Sequence, residues 1–346
     1  MKKTVLVFLV LLTGGCAANH VIPDKDYTFR DSSRQNEAFR VAFDQDGNPY
    51  ANDWRERPIQ VENNFCFRRC NFQLRYERYD NFIYTPDMDE QILDEYAAVI
   101  NEALSEKSKL VFFVHGYNNS YDEIDRMMEQ FHHAIYPAGS DDAVIVEVVW
   151  DGLASAGWFS HWFKSLTYSN LAGQFGVRRL LNRIDGADKS LFFVTHSRGA
   201  GVAMSALFDP VYDSGIVGPN GQKPPESDAD YEAFSGEFNK ISLIMMAPAL
   251  GKGHFKDELA DELPANTSLT LVLKNRDEAT SKLVMSKLFG TTVAGYDSGL
   301  VKELERDGVV HVERLGKDGR GFFDDHMYKS YLDKAIAREI FRKHGL

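Results

Sequence analysis

From residue 109 onward the chain alternates two kinds of segment. Short continuous apolar runs, rich in β-branched and aromatic residues, occupy Lys109–Val114, Ala143–Trp150, Leu191–Thr195, Ile241–Met246, Leu269–Leu273 and Val309–Val312. Between them lie amphipathic stretches, notably Tyr121–Ile135, Asn170–Ile184 and Gly199–Phe208. Apolar runs of this kind read as strands buried on both faces, and their alternation with helices predicts a parallel sheet. Upstream, Ile92, Tyr96, Val99, Ile100 and Leu104 fall at helical spacing within Asp87–Glu106. Phe72–Tyr79 alternates apolar and polar residues, the period of a half-buried or edge strand. The expected architecture is α/β, a mostly parallel central sheet flanked by helices.

Three regions depart from this rhythm. Residues 19–60 are polar and irregular around the turn cluster Asp46, Gly47, Asn48 and Pro49, so residues 16–70 are expected to be a tether and N-terminal extension to a domain over 71–346. Residues 209–240 carry Pro210, Pro219, Pro224, Pro225 and several glycines and acids. They form a long insertion after the helix at 199–208, read either as a lid or as a solvated excursion. At the start, Lys2 and Lys3 precede the apolar run Val5–Leu12, too short to span a bilayer but suited to a signal peptide over residues 1–15. The segment Leu12, Thr13, Gly14, Gly15, Cys16 resembles a bacterial lipobox, in which Cys16 is lipidated and anchors the protein to a membrane; ordinary cleavage near Ala17 and Ala18 is the alternative. Either reading implies export to a bacterial periplasm or outer membrane.

Charge and cysteines narrow the choice of partner. The formal charge of −12 and the lack of any basic stripe longer than a pair argue against nucleic acid. Cys66 and Cys70 either close a small disulfide loop in an oxidising compartment or stay as two thiols. No second Cys or His pair stands at ligand spacing, so no metal or other cofactor is expected.

The strongest local signal is a buried strand at Leu191–Thr195 running into His196, Ser197, Arg198 and Gly199, where a small-residue helix begins. This strand, sharp turn and helix form the setting of a nucleophile elbow, with the helix N-terminus favouring negative charge at the serine. Gly199 and Gly201 supply the small residues such a turn needs. Thr195 stands where the G-x-S-x-G pattern has its first glycine, and must be accommodated by a smaller neighbour or by a slightly opened elbow. Read in isolation, a serine here also fits a helix cap. A second turn decides the reading: 82 residues upstream, His115 and Gly116 end another buried strand. That is where an oxyanion hole takes one of its donors, making the backbone N–H groups of Tyr117 and Arg198 the candidates. His115 reads as structural, holding the turn. The side chain of Arg198 meets a substrate carboxylate or phosphate or, by default, solvent.

Phe113–Glu123, with its Val114-His115-Gly116-Tyr117-Asn118 core, resembles the opening of an uncharacterised bacterial α/β-hydrolase family of secreted proteins and lipoproteins. Val148–Gly152, Val194–Gly199 and Leu271–Lys282 are similar to further segments of that family, and the resemblance covers roughly residues 105–335. It implies the α/β-hydrolase fold and a serine triad, and names no substrate. By this resemblance Asp277 is the acid, with Glu278 the adjacent alternative. The base is expected from the loop before the last helix, where His326 fits. His311 reads as a strand residue, His254 and His344 have no suitable context, and His132 and His133 read as a solvated helix face.

These residues imply acyl transfer through Ser197, Asp277 and His326, on an ester or related acyl bond of a small-molecule or lipid-like substrate. Carboxylesterase or lipase chemistry leads over thioesterase or peptidase. The reading from another class is a non-catalytic scaffold acting as an envelope binding or assembly module. Trp158, Phe159, Trp162, Phe163 and Tyr168 form either an apolar substrate wall or a helix packed on the sheet.

Overall fold

A sheet ordered β1-β2-β4-β3-β5-β6-β7-β8 forms the centre of the molecule. The computed structural model describes residues 21, 23, 30–31, 38–51, 87–135, 142–154, 158–208, 232–255, 264–274, 292–316 and 326–346. The expected leader, Cys16, Cys66, Cys70, the Phe72–Tyr79 strand, most of the 209–240 insertion, Asp277 and Glu278 lie outside these residues.

The strands are β1 (Arg30–Asp31), β2 (Ala38–Phe43), β3 (Lys109–Val114), β4 (Ala143–Trp150), β5 (Ser190–His196), β6 (Lys240–Met246), β7 (Thr267–Lys274) and β8 (His311–Leu315). The two-residue β1 pairs antiparallel with β2, and every other pairing is parallel. The helices are α1 (Asp87–Leu104), α2 (Tyr121–Ile135), α3 (Trp158–Leu171), α4 (Arg178–Leu181), α5 (Gly199–Leu207), α6 (Gly299–Arg306), α7 (Tyr328–Tyr331) and α8 (Lys334–His344). A π-helical turn, Ala172–Val177, joins α3 to α4. The apolar runs become strands because β-branched and aromatic side chains fill both faces of the sheet: β4 is buried along its whole length, and β3, β5 and β6 at all but their first residue.

Four differences separate the structure from the sequence pattern. Residues 38–43 fall in the stretch expected to be irregular, yet β2 lies fully buried beside β4, with Ala38 opposite Ile145 and Phe43 opposite Trp150. Arg40 interrupts its apolar pattern, and that charge is met across the sheet, where Nε donates to Glu147 Oε2 at 2.8 Å. His132, expected on a solvated face, is buried instead, its Nε2 2.7 Å from Glu147 Oε1. Glu147 thus holds β2 and α2 together from the strand between them, while His133 is exposed as expected. The helical stretch expected at 170–184 begins earlier, at Trp158, and the last strand begins at His311 because Val309 is tied by its N–H to Leu304 at the end of α6.

Among the described residues no helix is long and apolar enough to cross a membrane.

Candidate active site

Strand β5 delivers its last residues to the carboxyl edge of the sheet, and there the backbone reverses. Ser197 adopts φ 51°, in the left-handed region that disfavours side chains other than glycine. The surroundings hold it there. Its N–H donates to Met246 O at the end of β6 at 2.9 Å, and its carbonyl accepts from Ala249 N at 3.0 Å. Helix α5 starts at once, and only a residue without a side chain fits at Gly199: a Cβ there would lie 2.4 Å from His115 O and 2.6 Å from Val114 O. Thr195, which stands in place of the motif's first glycine, is wholly buried between Val114 and Met245, and its Oγ1 finds no hydrogen-bond partner among the described residues. The elbow therefore accommodates Thr195 as a hydrophobe.

The turn after β3 lies against the serine, since a Cβ on Gly116 would stand 3.0 Å from Ser197 Cβ. That approach sets the turn that leads to Tyr117 against the turn that leads to Arg198. His115 fixes the turn from beneath. Its Nε2 accepts from Trp150 N at 3.1 Å, so its Nδ1 carries the hydrogen and donates to Gly116 O at 2.8 Å. Trp150 returns the contact by donating Nε1–H to His115 O at 2.8 Å. Complete burial pushes the His115 imidazole down to about 4, so it is neutral near pH 7. Asn119 Nδ2 donates to Gly116 O at 2.9 Å and locks the outer side of the turn.

His326 arrives from the turn before α7, not from a helix. Its Nε2 lies 3.1 Å from Ser197 Oγ, across 129 positions of sequence. The ring of His196 packs beside it at a centroid separation of 5.2 Å, and His196 Nε2–H donates to the His326 carbonyl at 2.8 Å. Ser197 and His326 are thus brought together, while Asp277 lies outside the described residues. The His196 tie is not visible in sequence, where that residue reads only as the one before a serine.

The side chain of Arg198 departs from the expectation of exposure. It has no exposed surface, donates from Nη1 to Ala249 O at 2.7 Å, and lies under the Trp162 ring at 4.3 Å from its centroid. Tyr117 meets the same indole edge-on at 5.4 Å. Trp162 is therefore both packed and adjacent to the serine turn, and Tyr168 further along α3 is buried. His254, which has no evident context in the sequence, is pushed down to about 4 by burial first and then by the nearby Arg198 guanidinium. Burial also lowers Arg198 itself to about 9, leaving it a cation at neutral pH, and raises the Tyr117 phenol.

Among the described residues, one group could offer a metal three ligands: His311, Glu313 and His344, whose ligand atoms lie within 4.8 Å of one another. It sits on β8 and α8, outside the serine turn. Lys343 already pairs with Glu313, and a second ammonium, Lys240, donates to His344 O at 2.8 Å, so local charge opposes a cation.

A family model described as "Alpha/beta hydrolase of unknown function (DUF900)" matches residues 93–312. A solved structure of an uncharacterized protein from Bacillus cereus ATCC 10987 is similar at 14% identity and a TM-score of 0.34, over 76% of this chain and 72% of that one. Comparison with curated proteins gave no match.

Proposed function

The chain belongs to that alpha/beta-hydrolase family, and from this premise we propose that it is a serine hydrolase cleaving an ester or related acyl bond. One observation carries the reading: a serine at φ 51° whose Oγ lies 3.1 Å from an imidazole nitrogen, His326 Nε2. Left-handed backbone costs a residue with a side chain about 1–2 kcal/mol, and such strain persists where the fold over-determines it for a purpose.

The steps follow from the contacts. His326 Nε2 takes the proton of Ser197 Oγ as that oxygen attacks the acyl carbon. Negative charge gathering on the carbonyl oxygen is met by the N–H groups of Tyr117 and Arg198, helped by the N-terminus of α5. The imidazolium returns its proton to the leaving group, and water, activated by the same nitrogen, releases the acyl group. Asp277 is the acid that the family resemblance assigns to orient His326. An envelope location through a lipid on Cys16 belongs to the same proposal and makes lipid-like esters natural candidates.

The test is a fluorophosphonate probe applied to protein lacking residues 1–16, with the adduct mapped by peptide mass spectrometry. Labelling confined to Ser197, and loss of ester hydrolysis in Ser197→Ala, is the expected result. Folded protein that resists the probe and hydrolyses no ester would leave the fold as a binding scaffold.

A further inference from the structure

The chain buries two arginines completely near α5, and it treats them differently. Arg178 spends every nitrogen: Nε donates to Ala206 O, Nη1 to Glu232 O, and Nη2 to Ser205 O and Phe208 O, at 2.7–3.1 Å. These are the carbonyls at and beyond the end of α5, so Arg178 acts as its C-terminal cap. Arg198, at the other end of the same helix, makes one such bond, from Nη1 to Ala249 O. Its Nε and Nη2 have no hydrogen-bond partner among the described residues. Among the described residues no carboxylate pairs with it; what surrounds it is the Trp162 face, the Tyr117 phenol and the neutral His254.

A buried cation without an anion is strongly disfavoured, and a buried N–H without an acceptor adds to the penalty. The two unpaired nitrogens have a particular relation. Nε–H and Nη2–H form one edge of the guanidinium, where the two hydrogens point the same way in a plane. This is the edge that grips both oxygens of a carboxylate. It belongs to the residue directly after Ser197, whose own N–H stands beside the reacting carbonyl in the proposed mechanism.

We propose that this edge of Arg198 receives a carboxylate carried by the substrate, so that the preferred substrates are esters bearing a free carboxylate near the scissile bond. Trp162 and Tyr117 cover the site, and an entering carboxylate shifts this pair, leaving Tyr117 and His254 as neutral neighbours beside it. A neutral chain of equal size has nothing to offer the guanidinium and leaves the cover in place. The consequence for turnover rests on the serine-hydrolase reading; the binding site itself does not.

The experiment separates the two. In Ser197→Ala protein, where no turnover intervenes, binding of monomethyl succinate and of dimethyl succinate is measured by calorimetry. The monoester is expected to bind at least tenfold more tightly. Adding Arg198→Met should weaken the monoester by about tenfold to a hundredfold, the loss of a pair of charge-assisted hydrogen bonds, and so remove its advantage over the diester. Arg198→Lys, which keeps the charge and lacks the two-hydrogen edge, should recover the preference only in part. Equal binding of both esters by folded Ser197→Ala protein overturns the carboxylate site, and needs no Arg198 variant to do so. Monoester preference in a protein whose Ser197 resists fluorophosphonate keeps the site and overturns only the hydrolase reading.

Discussion

His196 Nε2 donates to the backbone carbonyl of His326 over 2.8 Å, so the residue before the serine fixes the loop that carries the imidazole facing it. The two partners are 130 positions apart, and the bond sets the height of the His326 turn above the sheet edge. His196→Ala should therefore lower kcat by about tenfold to a hundredfold with a smaller change in KM, because reacting groups misplaced by an ångström lose that much. His196→Gln, which retains a donor of similar reach, should recover part of the loss. A steady-state comparison of the three proteins decides it, and equal rates in all three would remove His196 from any positioning role.

The strain at Ser197 is measurable apart from catalysis. Ser197→Ala and Ser197→Gly both remove the hydroxyl, but only glycine is at ease at φ 51°. Ser197→Gly should be more stable than Ser197→Ala by about 1 kcal/mol in urea unfolding. The reverse order would mean that the elbow relaxes when the hydroxyl is gone.

Glu147 joins two elements that the sequence keeps far apart. One oxygen accepts from Arg40 on β2 and the other lies 2.7 Å from His132 Nε2 on α2, all three side chains being buried. Glu147→Leu should cost about 3–5 kcal/mol, because it takes the buried carboxylate away from the Arg40 charge, whose other partners include the Tyr121 hydroxyl and the half-exposed Asp125. Adding Arg40→Met should restore part of that loss. Denaturant midpoints of the single and double variants measure the coupling.

Acid should weaken the fold through His115. Its imidazole is held at about 4 in the folded protein against an ordinary value of 6.5, so between those pH values the unfolded chain takes up a proton that the folded chain refuses. Stability contributed by the neutral ring is fully present above pH 6.5 and falls as pH drops toward 4, by on the order of 3 kcal/mol. His115→Asn removes the titrating group. Its unfolding free energy, lower at pH 7 for lack of the Trp150 contact, should fall less steeply with acid than that of the unaltered protein.

Much of this architecture was legible along the chain. Lys109–Val114 and Ala143–Trp150 form strands with the bounds their apolar runs suggest, because a strand buried on both faces needs an unbroken run, and β-branched and aromatic residues favour the extended chain. The serine and the His115–Gly116 turn were legible for a related reason. A glycine where two backbones nearly touch, as at Gly199, leaves a local mark. The sequence by itself thus determined the parallel sheet, the strand order's raw material and the two turns that meet at Ser197.

What only the tertiary structure decided are the partnerships of polar groups. Arg40 makes β2 look like irregular chain until Glu147 is set beside it, and His132 reads as a surface residue until the same carboxylate faces it. Arg198 reads as an exposed helix-start cation until Trp162 closes over it, and His196 acquires a role only when His326 returns from the far end of the chain. Apolar burial depends on each residue's own transfer free energy and so is written in local composition. The cost of burying a charge or an N–H depends on what another segment supplies, and that is fixed only when the chain closes on itself.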